Sequence, residues 1–160
     1  MSTLLSIDLG LRCGFATYSS TGHLLRYRST NFGSVSRLRS AAWNIVRENG
    51  PPEVMILEGD RKLASIWSRV AKRMDCQVIT VAPETWRAQL LVARQRRSGQ
   101  DAKDSADHLA RAIIDWSDAP GPTSLRHDAA EAILIGLWGV MHVGWLDELP
   151  PSINSALSGS

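Results

Sequence analysis

Leu4-Leu5-Ser6-Ile7-Asp8-Leu9-Gly10 is a short apolar run broken by one carboxylate and closed by a turn residue. Its length and its Leu and Ile content read as a strand over Leu4–Leu9, with Gly10-Leu11-Arg12 as a tight turn. Gly14–Ser19 follows as a second strand, Ser20-Thr21-Gly22 as another turn and His23–Ser29 as a third strand. Strands so closely spaced leave no room for a crossover and must form an antiparallel meander. A helix N-capped by Ser36 then runs to Asn49, stopped by Gly50-Pro51-Pro52. Val54-Met55-Ile56-Leu57-Glu58 repeats the opening pattern, a buried strand ending at a carboxylate. Leu63–Met74 carries Leu63, Ile66, Trp67, Val70 and Met74 at helical spacing, and Gln77–Val81 is a fifth strand. Pro83 opens another helix, Arg94–Ala102 reads as a polar basic loop, and Lys103–Trp116 and Leu125–Val143 as two more helices. The order calls for an α/β fold: a five-stranded mixed sheet, three antiparallel strands plus two parallel ones reached by right-handed crossovers, flanked by helices. In such a sheet Asp8 and Glu58 end neighbouring strands.

A third acidic site lies in His127-Asp128-Ala129-Ala130-Glu131-Ala132. Its two carboxylates share one helix face, and the three alanines let that helix approach the sheet closely. An ionised carboxylate in apolar surroundings is costly unless paired or bound to metal, and four together repel one another. A divalent cation is the natural resolution. Each acid also has a plainer reading. Asp8 can cap the turn at Gly10. Glu58 can pair at the surface with Arg61 or Lys62. Asp128 and Glu131 can favour a helix N-terminus. Asp60 is either a ligand in place of Glu58 or the N-cap of the following helix. His127 is a ligand, a proton shuttle or a hydrogen-bonded neighbour.

A chain of 160 residues is most simply one domain, and its net charge of +2 is mild. The distribution is more telling. Residues 1–100 hold 15 Lys and Arg against 7 Asp and Glu, whereas residues 101–160 hold 3 against 9. A polyanion-facing surface would therefore come from the first part of the chain. Arg12, Arg61, Lys62, Lys72, Arg73, Arg87, Arg94, Arg96 and Arg97 are its candidates, with a solvated charged face as the default alternative. Cys13 and Cys76 have no metal-ligand spacing and read as core residues of a reducing cytosol. Asp8 breaks the N-terminal apolar stretch, so no signal peptide is expected, and the apolar run Ala132–Val143 is too short to span a bilayer. We expect a cytoplasmic protein with no membrane partner. Residues 147–160, polar with Gly and Ser, read as a flexible tail.

The whole pattern resembles the ribonuclease-H-like superfamily and, within it, a divergent branch of the RuvC-type Holliday junction resolvases. The likeness spans Leu4 to Val143. It rests on Ile7-Asp8-Leu9-Gly10-Leu11-Arg12, on Ile56-Leu57-Glu58, on Pro83-Glu84-Thr85-Trp86-Arg87 with Ala102-Lys103-Asp104, and on Asp128-Ala129-Ala130-Glu131-Ala132. Leu9 stands where that family usually has Pro, and Glu131 where it commonly has Asp. The resemblance implies a ribonuclease-H-like nuclease domain over residues 1–146. It implies Asp8, Glu58, Asp128 and Glu131 as ligands of two Mg²⁺ or Mn²⁺ ions per site, spanned by Asp8, with Lys103 at the scissile phosphate. It further implies branched DNA, the four-way junction, as substrate, symmetric nicking by a homodimer, and a bacterial, phage, plasmid or organellar source. Arg12, Arg61, Lys62, Arg87, Arg94, Arg96 and Arg97 would contact DNA. Trp43, Trp67 and Trp138 read as core or interface, Trp86 as core or a base-stacking ring, and Phe32 as a candidate wedge. Two other readings keep the same fold: a non-catalytic nucleic-acid-binding module, and a nuclease acting on an RNA/DNA hybrid or flap. A sugar-kinase-like ATPase would need a second domain for which 160 residues leave no room.

Overall fold

The computed structural model describes residues 2–91 and 99–158. Arg94, Arg96 and Arg97 lie outside the described residues. The chain runs β1 (Thr3–Asp8), β2 (Arg12–Ser19), β3 (Leu24–Asn31), α1 (Val35–Arg47), β4 (Val54–Glu58), α2 (Arg61–Arg73), β5 (Gln77–Val81), α3 (Pro83–Leu90), α4 (Gly99–Ser117), α5 (His127–His142) and α6 (Pro151–Ser158). The five strands form one sheet in the order β3-β2-β1-β4-β5. The β1–β2 and β2–β3 pairs are antiparallel, and β1–β4 and β4–β5 are parallel. This is the mixed sheet expected from the sequence.

Alternation along the strands sorts the core into two layers. Leu5, Ile7, Met55, Leu57, Cys13 and Phe15 pack with Leu38, Ala42 and Val46 of α1 and Ile66, Trp67 and Val70 of α2. On the other face Leu4, Ala16, Tyr18, Val54 and Ile56 pack with α3, α4 and α5. The centre of that second layer is α5, in which every residue from Ala129 to Val140 is buried. A helix apolar all round belongs inside, and here it lies directly on the sheet. Ser6 donates its hydroxyl to the Ala132 carbonyl at 2.7 Å, and Tyr18 donates to the Ile133 carbonyl.

Several boundaries differ from the expected ones, each for a local reason. The N-cap of α1 is Ser34, not Ser36: its hydroxyl accepts from the Arg37 amide at 3.2 Å. The α4 helix begins at Gly99, so residues 99–102, expected as loop, are helical. Phe32 is no wedge, because it is buried edge-on against Phe15. Residues 147–160 were expected as a loose tail, yet Pro151–Ser158 forms α6, which packs against α4 with Ile153 fully buried. One buried apolar side chain among polar neighbours is too weak a pattern to read in advance. No helix among the described residues is long and apolar enough to cross a membrane.

The close approach of α5 is permitted by glycine. A Cβ on Gly136 would stand 2.3 Å from the Tyr18 ring and 2.7 Å from the Ser6 hydroxyl, both of which are held by their bonds to α5. We expect Gly136→Ala to destabilise the chain by about 1–3 kcal/mol, the usual scale of overpacking. The check is a lowered urea midpoint at unchanged slope. Gly121→Ala, where a Cβ meets nothing within 4 Å, should leave the midpoint in place.

Candidate active site

One row of residues runs straight across the sheet at the carboxyl ends of its parallel strands. In register order it is Val81, Glu58, Asp8, Gly14 and Ser29. Ligand chemistry in open α/β sheets gathers at that end. Asp8 and Glu58 are the last residues of β1 and β4 and direct partners across the pair. The Leu9 amide bonds the Glu58 carbonyl at 2.9 Å, so the two ends stay side by side beyond the strands. Gly59 then turns the chain out of β4 at φ +130°, a backbone angle that favours glycine. A Cβ there would also meet Leu9 at 3.0 Å.

Gly14 explains how the third acidic segment reaches the row. A Cβ at that position would lie 1.8 Å from the Asp128 carbonyl oxygen. The first turn of α5 therefore rests on bare backbone, on the strand next to Asp8. Ser29, beside Gly14 in the row, donates its hydroxyl to Asp128 Oδ2 at 2.8 Å. One turn on, Glu131 is buried beneath the same edge, 5% exposed. Its Oε1 accepts from Arg87 at 3.1 Å and stands 3.1 Å from His127 Nε2. Its Oε2 is buried and has no hydrogen-bond partner among the described residues. Glu58 is likewise buried, 7% exposed, and its Oε2 accepts from the indole N–H of the fully buried Trp86 at 3.1 Å.

The acids are close enough to act on one another electrostatically. The Asp8 carboxyl is pushed up from 3.8 to about 8. Burial is the main cause, followed by the charges of Glu58, Glu131 and Asp128, with Arg87 pulling the other way. Glu58 is raised as well, by burial first; the Trp86 hydrogen bond opposes this, and Glu131 adds to it.

Of the other residues singled out in the sequence, Asp60 is the N-cap of α2, its carboxylate accepting from the amides of Lys62 and Leu63 at 2.8 and 3.0 Å. Arg61 and Lys62 are exposed in the first turn of α2, just beyond Glu58, and Arg12 is exposed at the start of β2, just beyond Asp8. Lys103 is exposed on α4, and the charges acting on Asp8 and Glu58 do not include it. Arg87 faces Glu131, its guanidinium 5.1 Å from the Trp86 ring centroid. Trp67 and Trp138 are core, and Trp43 lies under the Arg73 guanidinium at 4.5 Å. Sequence reasoning missed Ser29 and the bond made by Trp86. Ser29 was within reach, since pairing the third strand with the second puts it opposite Gly14.

An all-carboxylate donor set suits a hard, oxygen-seeking cation such as Mg²⁺ or Mn²⁺. The partnerless buried Oε2 of Glu131 and the raised Asp8 carboxyl are what a binding place for such an ion leaves when protein groups alone are counted. As the side chains stand, no group of three or more His, Cys, Asp or Glu among the described residues is arranged as a metal cage. Three of the acids are instead engaged by Trp86, Arg87 and Ser29. In charge and donor chemistry the residues fit a divalent cation.

No protein-family model matches this chain, and no curated protein sequence matches it. Solved structures do. T. thermophilus RuvC in complex with a Holliday junction substrate superposes with a TM-score of 0.59 at 16% identity, covering 90% of this chain and 96% of that one. The yeast mitochondrial Holliday junction resolvase Ydc2 superposes with a TM-score of 0.59 at 14% identity, covering 99% of this chain and 82% of that one. The chain thus has the ribonuclease-H-like fold in the form these proteins share.

The raised acids make stability depend on pH in a definite sense. Asp8 binds its proton more tightly folded than unfolded, so the stability tied to it is complete below about 4 and is lost as pH rises through about 8. Glu58 acts in the same direction. We expect the melting temperature of the cation-free protein to fall across that window, and Asp8→Asn to flatten the fall. A melting temperature that rises between those limits would contradict the burial of these acids.

Proposed function

We propose that this chain is a divalent-cation-dependent, structure-selective endodeoxyribonuclease that resolves four-way (Holliday) DNA junctions by symmetric nicking. The observation that carries this reading is the meeting of Asp8, Glu58, Asp128 and Glu131 at one edge of the sheet, in a fold shared with junction resolvases over 90% and 99% of the chain. Those four residues would hold Mg²⁺ or Mn²⁺, two ions per site, with Asp8 between its neighbours in the row. When bound, the cation supplies the Lewis acidity that phosphodiester hydrolysis requires.

The chain's own residues do the rest. Ser29 holds the Asp128 carboxylate in place, and α5 is seated on Gly14 at a fixed distance from Asp8. Arg12, at the start of β2, and Arg61 and Lys62, at the start of α2, are exposed cations that would bind backbone phosphates. Lys103, exposed on α4, is a candidate for the same task in the bound complex. The negative edge repels DNA unless cations neutralise it, so binding and cutting are both tied to the divalent ion. A two-fold junction has two equivalent cut points, so we infer a homodimer with one site per protomer.

A second reading, a non-catalytic nucleic-acid-binding module, draws on the salt bridge between Arg87 and Glu131 and the lack of a ready-made cage among the described residues. One experiment decides: four-way junction, duplex, flap and RNA/DNA hybrid incubated with the protein in Mg²⁺ or Mn²⁺. We expect paired symmetric nicks in the junction. Asp8→Asn and Asp128→Asn should each cut at least about 10²-fold more slowly, the scale of losing one preorganised electrostatic group, with junction binding retained. Ca²⁺ should support binding and suppress cutting. Cleavage by Asp8→Asn at the wild-type rate would overturn the assignment. Junction binding with no nick under either ion would favour the module.

A further inference from the structure

Two adjacent residues of one short helix each hold one of the four acids, and they hold them in different ways. Trp86, on α3, is fully buried and gives its indole N–H to Glu58 Oε2 at 3.1 Å. Burial alone does not guarantee such a partner: Trp67 is as deeply buried, and its Nε1 has none among the described residues. The Trp86 bond restrains the rotation of the Glu58 carboxylate about its last bond. Arg87 gives its Nη2 to Glu131 Oε1 at 3.1 Å, and its side chain is 37% exposed. It is thus a cation lying between the acid cluster and solvent. It leaves Glu131 Oε2 buried and without a partner among the described residues, so one oxygen of Glu131 is engaged and the other is not.

We propose that α3 sets the cation affinity of the site through two opposed contacts: Trp86 positions Glu58 for the divalent ion, and Arg87 is a resident counter-charge that competes with that ion for Glu131. This rests on the functional reading above. Trp86 acts only through Glu58 and is a positioning residue. Outer partners that orient a ligating side chain commonly account for 10–100-fold in metal affinity. Arg87 works the other way, because its charge already offsets part of the negative field that attracts the ion. With no ion present Arg87 offsets part of the repulsion among the acids, and once the ion arrives its guanidinium is free to turn toward phosphate.

The two contacts predict changes of opposite sign, which a merely structural role for α3 would not produce. The probe is Ca²⁺ alone, titrated calorimetrically into wild-type protein and variants. The pH is held above the shifted value of Asp8, so that proton release does not mask the effect. Trp86→Phe, which keeps the ring and removes the donor, should weaken Ca²⁺ binding about tenfold or more. Arg87→Met should tighten it severalfold while lowering the melting temperature of the ion-free protein. Arg87→Lys, which keeps the charge, should return affinity toward wild type. If Trp86→Phe fails to fold, the Arg87 pair still reads the sign. Wild-type protein that binds Ca²⁺ while the variants match it, or both weaken it, overturns this inference alone. Wild-type protein that takes up no Ca²⁺ overturns the metal site together with it.

Discussion

Four carboxylates share a half-dry space at the edge of one sheet, where like charges repel one another unless a cation offsets them. That repulsion organises the structure around it. The acids arrive from three segments far apart in the chain, β1 and β4 with one each and α5 with two. Parallel pairing sets Asp8 beside Glu58, the bare backbone of Gly14 admits α5, and Ser29 catches Asp128 as it comes. The protein half-answers the repulsion itself, through Arg87 on Glu131 and Trp86 on Glu58. Two deeply buried acids paired with donors from one helix are costly to separate, because removing either donor strands a charge or a lone pair away from water.

Much of this was legible in the sequence, for identifiable reasons. The apolar runs before Asp8 and Glu58 have strand length and turn residues at their ends, so the sheet and the meeting of those two acids followed from connection rules alone. The spacing of Asp128 and Glu131 placed both on one helix face, and the alanines around them foretold close packing. What stayed hidden depends on contacts that leave no local signature. Ser34 and Ser36 are equally good caps on paper, and only the Arg37 amide chooses between them. The bond from Trp86 to Glu58 spans 28 residues. No spacing pattern announces it, and a lone aromatic on a short helix reads as core. Ile153 gave α6 no visible apolar face, although it turns out to be completely enclosed.

The charge asymmetry of the chain also takes on structural meaning. The basic first part supplies Arg12, Arg61 and Lys62 around the rim, while the acidic later part supplies α5 and its two carboxylates. The site forms where the two meet. Exposed positive side chains beside a negative centre are the charge pattern that the proposed DNA-binding role would need.

The burial of α5 has a consequence for how the molecule comes into being. Ser6 reaches Ala132 across 126 positions, and Tyr18 reaches Ile133 across 115. During synthesis all five strands leave the ribosome before the helix that covers one of their faces exists. A nascent chain halted before residue 127 would therefore leave the face that α5 covers largely exposed and lack Asp128 and Glu131. Premature termination would yield a fragment with exposed apolar surface, prone to aggregate and a natural client for chaperones and proteases.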